Sequence, residues 1–188
     1  MIFMNICVFG AAKDDIAGIF FDETEKLGRA IAKRGHKLVF GGGMTGLMGA
    51  VARGAKAEKG KVYGIAPRFF DKPGVLLGDC DEFSFTDTMT ERKQIMLDSS
   101  DAFVIVPGGL GTFDELFEIL TLSGIEQNEK PIAILNTAGF YDKLLEFVDF
   151  AVAEGFIGKS VYGKFEVFAE PGELLDYVEK NRLAISNR

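Results

Sequence analysis

The stretch Val106-Pro107-Gly108-Gly109-Leu110-Gly111-Thr112-Phe113-Asp114-Glu115 decides the fold. It follows Ala102–Val106, an apolar run that reads as a buried strand, and enters Thr112–Ile125, where apolar residues recur at helical spacing. A strand that passes through glycines directly into a helix is the repeating unit of a parallel sheet. Glycines let the backbone come close to a ligand, and the free amides that open a helix favour an anion. The turn lacks GK[ST], so it is not a Walker A loop. Thr112 and Glu115 have capping-box spacing, which gives Glu115 a structural reading beside any chemical one.

The same rhythm extends on both sides. Upstream, Ile2–Phe9 reads as a strand, Asp14–Arg34 as a helix stopped by Gly35, Lys37–Phe40 as a strand and Gly46–Lys59 as a helix. Lys61–Ala66 is strand-like and closed by Pro67, Arg68–Asp81 a loop, and Glu82–Thr86 a short strand. Thr88–Ser99 is helical, with Thr88 and Glu91 spaced as a second capping box. Downstream come a strand at Pro131–Leu135, a helix at Tyr141–Glu154, a strand at Phe165–Phe168, a helix at Gly172–Lys180 and a frayed end at Ser186–Arg188. Nothing in this alternation resembles an interdomain linker. The expectation is a single-domain α/β chain over residues 1–188, a Rossmann-like doubly wound sheet, mostly parallel, with helices on both faces.

A second glycine-rich turn lies within Leu38-Val39-Phe40-Gly41-Gly42-Gly43-Met44-Thr45-Gly46-Leu47-Met48-Gly49. Gly41, Gly43 and Gly46 match G-x-G-x-x-G, but a dinucleotide site needs an acid after the next strand, and that region reads Ile65-Ala66-Pro67-Arg68. Ligands of open α/β sheets sit beyond the carboxyl ends of the strands, so both turns are expected to face one crevice, with Gly43, Thr45 and Gly46 contributing.

Composition narrows the function. The 188 residues are 47% hydrophobic and 26% charged, enough apolar material for a sizeable core. The net charge of −7 argues against a nucleic-acid binder, which needs a basic face. It leaves room for a small anion held by amides and local cations. His36 is the only histidine, which excludes zinc sites with several histidines and HExxH proteases, and directly after Gly35 it reads as a turn residue. Cys7 and Cys80 suggest no disulfide framework, so a reducing cytoplasm is expected. Met1–Gly10 is apolar but short and lacks a basic leader, and no apolar run reaches the roughly 18–20 residues of a membrane span.

Three motifs stand in order: Gly41-Gly42-Gly43-x-x-Gly46-Leu47-Met48-Gly49, Met89-x-x-Arg92-Lys93, and Pro107-Gly108-Gly109-x-Gly111-Thr112-x-x-Glu115. With Asn136-Thr137-x-Gly139-Phe140-Tyr141 and Glu154-Gly155-Phe156, they make the chain from Ile6 to about Phe156 resemble the LOG ("lonely guy") family of phosphoribohydrolases, often labelled lysine decarboxylases. The resemblance implies hydrolysis of the N-glycosidic bond of a purine or cytokinin nucleoside 5′-monophosphate, giving free base and ribose 5-phosphate. It implies Arg92 and Glu115 as catalytic residues. As substrate contacts it implies Met89, Lys93, the loop Gly108, Gly109, Leu110, Gly111 and Thr112, and by spacing Glu82 and Thr121. It implies a homodimer, and the expectation includes no metal and no cofactor. Met89, Ile95, Met96 and Leu97 crowd the Arg92 helix with more apolar surface than one narrow stripe needs.

The residue types suit the reaction. Glycosidic cleavage passes through an oxocarbenium-like state and needs charge stabilisation and an activated water, both within reach of a carboxylate. Arginine is always charged, a poor general acid and a good electrostatic clamp. The chain departs from the family at Ala11-Ala12-Lys13, where serines are common, at Asp114 in place of a glutamate, and at Leu122-Ser123-Gly124-Ile125-Glu126-Gln127 in place of an aromatic-rich stretch. AMP therefore stands beside a cytokinin ribotide as expected substrate. The competing expectation is a non-catalytic carrier of a phosphorylated small molecule, related to molybdenum-cofactor carriers. Lysine decarboxylation would require a Schiff-base lysine for pyridoxal phosphate, and no lysine stands in such a setting.

Overall fold

The computed structural model describes residues 3–158, 161 and 163–186; Ile2 of the expected first strand and Asn187 and Arg188 of the expected frayed end lie outside them. The strands are β1 (Asn5–Phe9), β2 (Lys37–Phe40), β3 (Val62–Pro67), β4 (Glu82–Thr86), β5 (Ala102–Ile105), β6 (Ile132–Leu135) and β7 (Phe165–Phe168). The helices are α1 (Gly18–Lys33), α2 (Gly46–Ala57), α3 (Met89–Ser99), α4 (Leu110–Gly124), α5 (Asp142–Ala153) and α6 (Pro171–Ser186). The strands form one sheet in the order β4-β3-β2-β1-β5-β6-β7, and every adjacent pair is parallel. The fold is the expected Rossmann-like doubly wound one, with the sheet entirely parallel. The chain winds outward from β1 to β4 and then crosses back to β5. The junction of β1 and β5 is therefore the switch point of the sheet.

The two-residue period of a strand sorts the core into two layers. Ile6, Val8, Leu38, Phe40, Ala102 and Val104 face one way and pack with Leu27 and Ile31 of α1, Leu47 and Val51 of α2, and Leu174, Leu175 and Val178 of α6. Cys7, Phe9, Val39, Phe103 and Ile105 face the other way and pack with Met96 of α3 and Leu116, Ile119 and Leu120 of α4. Both faces are covered, which is why the strands read as continuous apolar runs. No helix among the described residues is long and apolar enough to cross a membrane.

Three boundaries differ from the sequence reading for identifiable reasons. The helix expected from Asp14 begins at Gly18, because the Asp14 carboxylate accepts the Gly46 amide (2.8 Å), which keeps Asp14–Ala17 out of the helix. The last helix begins at Pro171, a residue suited to a first helical position, and runs to Ser186. The α4 helix begins at Leu110, ahead of Thr112, with Gly109 as its N-cap.

Helices α1 and α2 meet backbone to backbone. A Cβ on Gly28 would lie 2.0 Å from the Val51 carbonyl oxygen, and one on Gly54 would lie 2.1 Å from that of Glu25. The two glycines are reciprocal, each admitting the other helix. Gly28→Ala raises helix propensity by ~1 kcal/mol, but overpacking of this kind costs ~1–3 kcal/mol. Since the clash is with backbone, the upper part of that range applies, and urea unfolding of the variant should show a net loss of about 1–2 kcal/mol.

Candidate active site

The turn Val106–Gly109 leaves β5 at the switch point. Gly109 is extended (φ −102°, ψ −153°) and caps α4 without a side chain. The first-turn amides have no acceptor inside their helix, and no side chain caps them. A Cβ on Gly109 or Gly111 would meet nothing within 4 Å, so the approach to these amides is open. Gly108 is different. A Cβ there would lie 2.1 Å from the Thr112 hydroxyl oxygen, so glycine is what lets the buried Thr112 side chain fold back under the turn.

The expected Thr112–Glu115 capping box is not formed. With the helix starting at Leu110, Thr112 is already inside the first turn and Glu115 lies well inside the helix, pointing into the protein. The Thr88–Glu91 box does form. Thr88 Oγ1 accepts the Glu91 amide (3.1 Å), and Glu91 Oε2 accepts the amides of Asp87 (2.9 Å) and Thr88 (3.3 Å). This box sets the start of α3 and places Arg92 one turn in.

Arg92 of α3 and Glu115 of α4 meet in the protein interior. Arg92 Nη1 donates to Glu115 Oε1 at 2.7 Å and Arg92 Nε donates to the Ile65 carbonyl at 3.1 Å. The residues are 6% and 8% exposed, so this is a buried ion pair. Burial pushes the Glu115 carboxyl above its ordinary value, and the Arg92 guanidinium works against that rise. Gly41 makes room for the arginine, since a Cβ there would stand 2.1 Å from Arg92 Nη2. The buried Cys7 thiol lies within the field of the same pair, and burial pushes its pKa far up, so it is an inert core group.

The two glycine turns have different fates. At the first, the α2 amides are already taken. Gly46 donates to Asp14, and Leu47 (2.8 Å) and Met48 (3.3 Å) donate to the Ala11 carbonyl. The Thr45 hydroxyl donates to the Ala12 carbonyl at 2.8 Å. Residues of the Arg68–Asp81 loop cover the turn, with Met44 donating to the Val75 carbonyl and Leu77 to that of Gly42. A Cβ on Gly43 would crowd the Met48 side chain. Gly43, Thr45 and Gly46 thus stand in a turn closed by its own chain, and the open amides are those of α4.

The remaining expected residues divide. Met89 opens α3 and is exposed. Leu110, at the mouth of the α4 turn, is 86% exposed. Lys93 Nζ donates to Asp114 Oδ2 (3.0 Å) and approaches Glu118 Oε2 (3.1 Å), a second rung between α3 and α4. Burial lowers the Lys93 pKa, but the two carboxylates outweigh it and the net shift is upward. Glu82 is not brought to this place. It lies at the amino end of β4, about 13 Å of strand from Thr86 at the carboxyl end, and pairs with Lys37 at 2.8 Å. Thr121 is about 13 Å along α4 from Thr112, exposed, and its hydroxyl donates to the Phe117 carbonyl of its own helix. His36 is buried rather than a simple turn residue, and its Nε2 lies 2.8 Å from Glu179 Oε1.

The sequence reading passed over the groups that hold the site in place. Ile65 contributes only a carbonyl, which leaves no side-chain signal. Ala11 bridges both turns by backbone alone, its amide donating to the Pro107 carbonyl at 3.1 Å and its carbonyl accepting from α2. Tyr141, fully buried, donates its hydroxyl to the Val106 carbonyl at 2.8 Å. Its signal was present in the Asn136–Tyr141 motif, which carried no assigned role.

These features define the class, a Rossmann-like α/β protein with a buried arginine–glutamate pair at the carboxyl edge of its sheet. Residues 48–178 match the sequence model of a family described as "Possible lysine decarboxylase". The chain is 40% identical over 163 residues to the cytokinin riboside 5′-monophosphate phosphoribohydrolase of Mycobacterium tuberculosis, covering 87% of each chain. It is 37% identical to its Arabidopsis thaliana counterpart LOG2, covering 84% of this chain and 74% of that protein. A rice relative with a probable function of the same name is 38% identical over 82% of this chain, which spans 63% of that protein's length. The molybdenum cofactor carrier protein of Chlamydomonas reinhardtii shares the fold with a TM-score of 0.70 at 26% identity, covering 94% of this chain and 96% of that one. The chain belongs to the LOG family.

A carboxyl whose folded-state pKa lies above its unfolded value costs stability when ionised. That cost is absent below the unfolded pKa and complete above the folded one. Glu115→Gln removes it while keeping an oxygen to accept from Arg92. As pH falls from 8 toward 4, wild type should therefore gain stability relative to Glu115→Gln, measured as the difference between their melting temperatures. A gap moving the opposite way would mean that pairing with Arg92, rather than burial, dominates.

Proposed function

We propose that this protein hydrolyses the N-glycosidic bond of a purine or cytokinin nucleoside 5′-monophosphate, releasing the free base and ribose 5-phosphate. The observation that carries this reading is the buried Arg92–Glu115 pair, whose glutamate lies about one and a half turns into the helix that the open, uncapped glycine turn begins. The naming of the mycobacterial and plant relatives points to the same reaction.

The open amides of α4 receive the 5′-phosphate, helped by the positive end of the helix dipole. Glu115 faces the anomeric carbon from below. It takes a proton from the attacking water as the C–N bond breaks and the bonding pair leaves with the base; the base takes up a proton from solvent, and Glu115 returns its own to solvent, which restores the carboxylate. The carboxylate also balances the positive charge that builds on the ribose. Arg92 favours the ionised form of Glu115 against the effect of burial and steadies the anionic parts of the substrate. Met89 and Leu110, exposed at the rim, flank the base, while Lys93 holds α3 to α4. No step calls for a metal or a cofactor. The carrier reading draws on the fold shared with molybdenum-cofactor carriers, and the Arg92–Glu115 pair favours the enzyme, since carriage alone requires no buried carboxylate.

AMP should be cleaved and adenosine should not, because the phosphate supplies the anchor; chromatography of adenine release tests this, and equal cleavage of both would remove the phosphate role of the turn. Glu115→Gln should cut turnover by at least ~100-fold, in the range that loss of a single charged catalytic group produces. In wild type the acid limb of the kcat profile should lie above the ordinary carboxylate value of 4.5, since burial raises Glu115.

The protein acts as a homodimer in this reading, in a reducing cytoplasm. Support comes from exposed apolar side chains along the two helices that carry the Arg92–Glu115 pair. Leu110, Phe117 and Ile125 on or just after α4, and Met89 on α3, are all at least 38% exposed. Ile95 and Leu97 pack partly and Met96 fully into the core, so the apolar crowding of α3 is mostly internal. Light scattering should give about twice the 20.5 kDa chain mass, and specific activity should fall on dilution. A fully active monomer would refute the assembly role.

A further inference from the structure

Tyr141 is the largest fully buried side chain in the core, and its hydroxyl is spent on one backbone atom, the Val106 carbonyl. That carbonyl is the last before Pro107 and the glycine turn. The next one along, that of Pro107, accepts the Ala11 amide. Two successive carbonyls of the turn are therefore drawn to donors outside it. In a planar trans peptide the carbonyl of one residue and the amide of the next point in opposite directions. Fixing the Pro107 carbonyl on Ala11 thus turns the Gly108 amide away from Ala11. Neither carbonyl is left free to face an approaching anion.

Tyr141 also touches the far end of the turn. Its ring lies edge-on to Phe113 of the first α4 turns, with centroids 6.3 Å apart, and edge-on to Phe140 at 4.9 Å. One residue therefore holds the segment from Val106 to Phe113 at both ends. Its own position is set by a local device. The Tyr141 amide donates to Asn136 Oδ1 (2.7 Å), Asn136 Nδ2 donates to Asp142 Oδ1 (2.7 Å), and the chain between passes through left-handed Ala138 (φ 53°) and Gly139 (φ 70°). A Cβ on Gly139 would lie 2.5 Å from Asp142 Oδ2, in a left-handed conformation that side chains rarely adopt, so a larger residue there would be strained. Burial pushes the Tyr141 phenol well above its ordinary value, so it remains a proton donor throughout the working pH range.

We propose that Tyr141, seated by the Asn136–Asp142 turn, is a positioning residue that holds the Val106–Phe113 turn in its phosphate-accepting shape. The proposal rests on the function proposed above, and it assigns a role to a motif that has no contact with the Arg92–Glu115 pair. Tyr141→Phe keeps the ring and removes only the hydroxyl. The KM for AMP should rise about tenfold with kcat within about threefold of wild type, and the dissociation constant of ribose 5-phosphate, by calorimetry, should rise in parallel. A hydroxyl that merely supports the core would lower the active fraction, reducing apparent kcat and leaving KM and ribose 5-phosphate affinity unchanged; that result overturns the proposal. Should Tyr141→Phe fail to fold, Phe113→Leu, which loosens the other end, should raise the same two constants, and unchanged constants in it count against the proposal. Wild type that binds ribose 5-phosphate in a Tyr141-dependent way but cleaves no nucleotide would overturn the hydrolase reading and leave this one standing. Wild type that binds no ribose 5-phosphate would overturn both.

Discussion

The contact between Arg92 and Glu115 is the constraint around which the carboxyl edge of the sheet is arranged. A buried charge must be paired and hydrogen-bonded or it drives the structure apart. Each support of the pair answers that demand. The Thr88–Glu91 box starts α3 at the residue that delivers Arg92 to the right depth. The Ile65 carbonyl takes Arg92 Nε, and Gly41 leaves the space that Nη2 occupies. The bridges of Lys93, next after Arg92, to Asp114 and Glu118 on either side of Glu115 hold the same two helices together. An ion pair with this much scaffolding is expensive to keep for stability alone, since apolar residues of similar volume do as well.

The two glycine turns show how one composition serves two purposes. Both connect a strand to a helix, and both bring backbone into close quarters. At the first, the chain supplies its own anion, the Asp14 carboxylate, and its own acceptor, the Ala11 carbonyl, so the helix start is satisfied from within. Its glycines serve packing, against Arg92, Phe83 and Met48. At the second, Gly109 and Gly111 face open space and the amides of α4 carry no side-chain cap. The difference lies in what the β1–α1 segment does with its backbone, and Ala11 contacts both turns. Main-chain groups of Ala11 make these connections, with the Asp14 carboxylate beside them.

Neighbouring folds put the function in perspective. The carrier protein of Chlamydomonas reinhardtii shares this architecture over nearly its whole length, which agrees with the rule that a doubly wound sheet offers a crevice and leaves its use to particular side chains. In the function proposed for this chain those side chains are a carboxylate whose pKa burial raises and the guanidinium that opposes the rise, and a shift of this kind in a crevice points to a functional site.

The sequence by itself determined the architecture. Alternating strand and helix periods and continuous apolar strands leave few options other than a parallel sheet covered on both faces, because these signals are local and repeat along the chain. It determined the family too, and marked Arg92 and Glu115 as candidate residues, since their motifs are contiguous. It misjudged Glu115 as an N-cap partner, because the helix start depends on where Gly109 turns, and spacing alone cannot distinguish Gly109 from Thr112 as the cap. It grouped Glu82 with the site because ten residues of separation say nothing about which end of a strand a residue occupies. Which helix start stays open, which carbonyls hold Arg92 and the glycine turn, and that Tyr141 reaches Val106 across 35 residues were decided only by the tertiary structure. Each of those contacts ends on a backbone atom that every residue carries, so no side-chain pattern announces its partner, and only the packing of distant segments brings the two within hydrogen-bond reach.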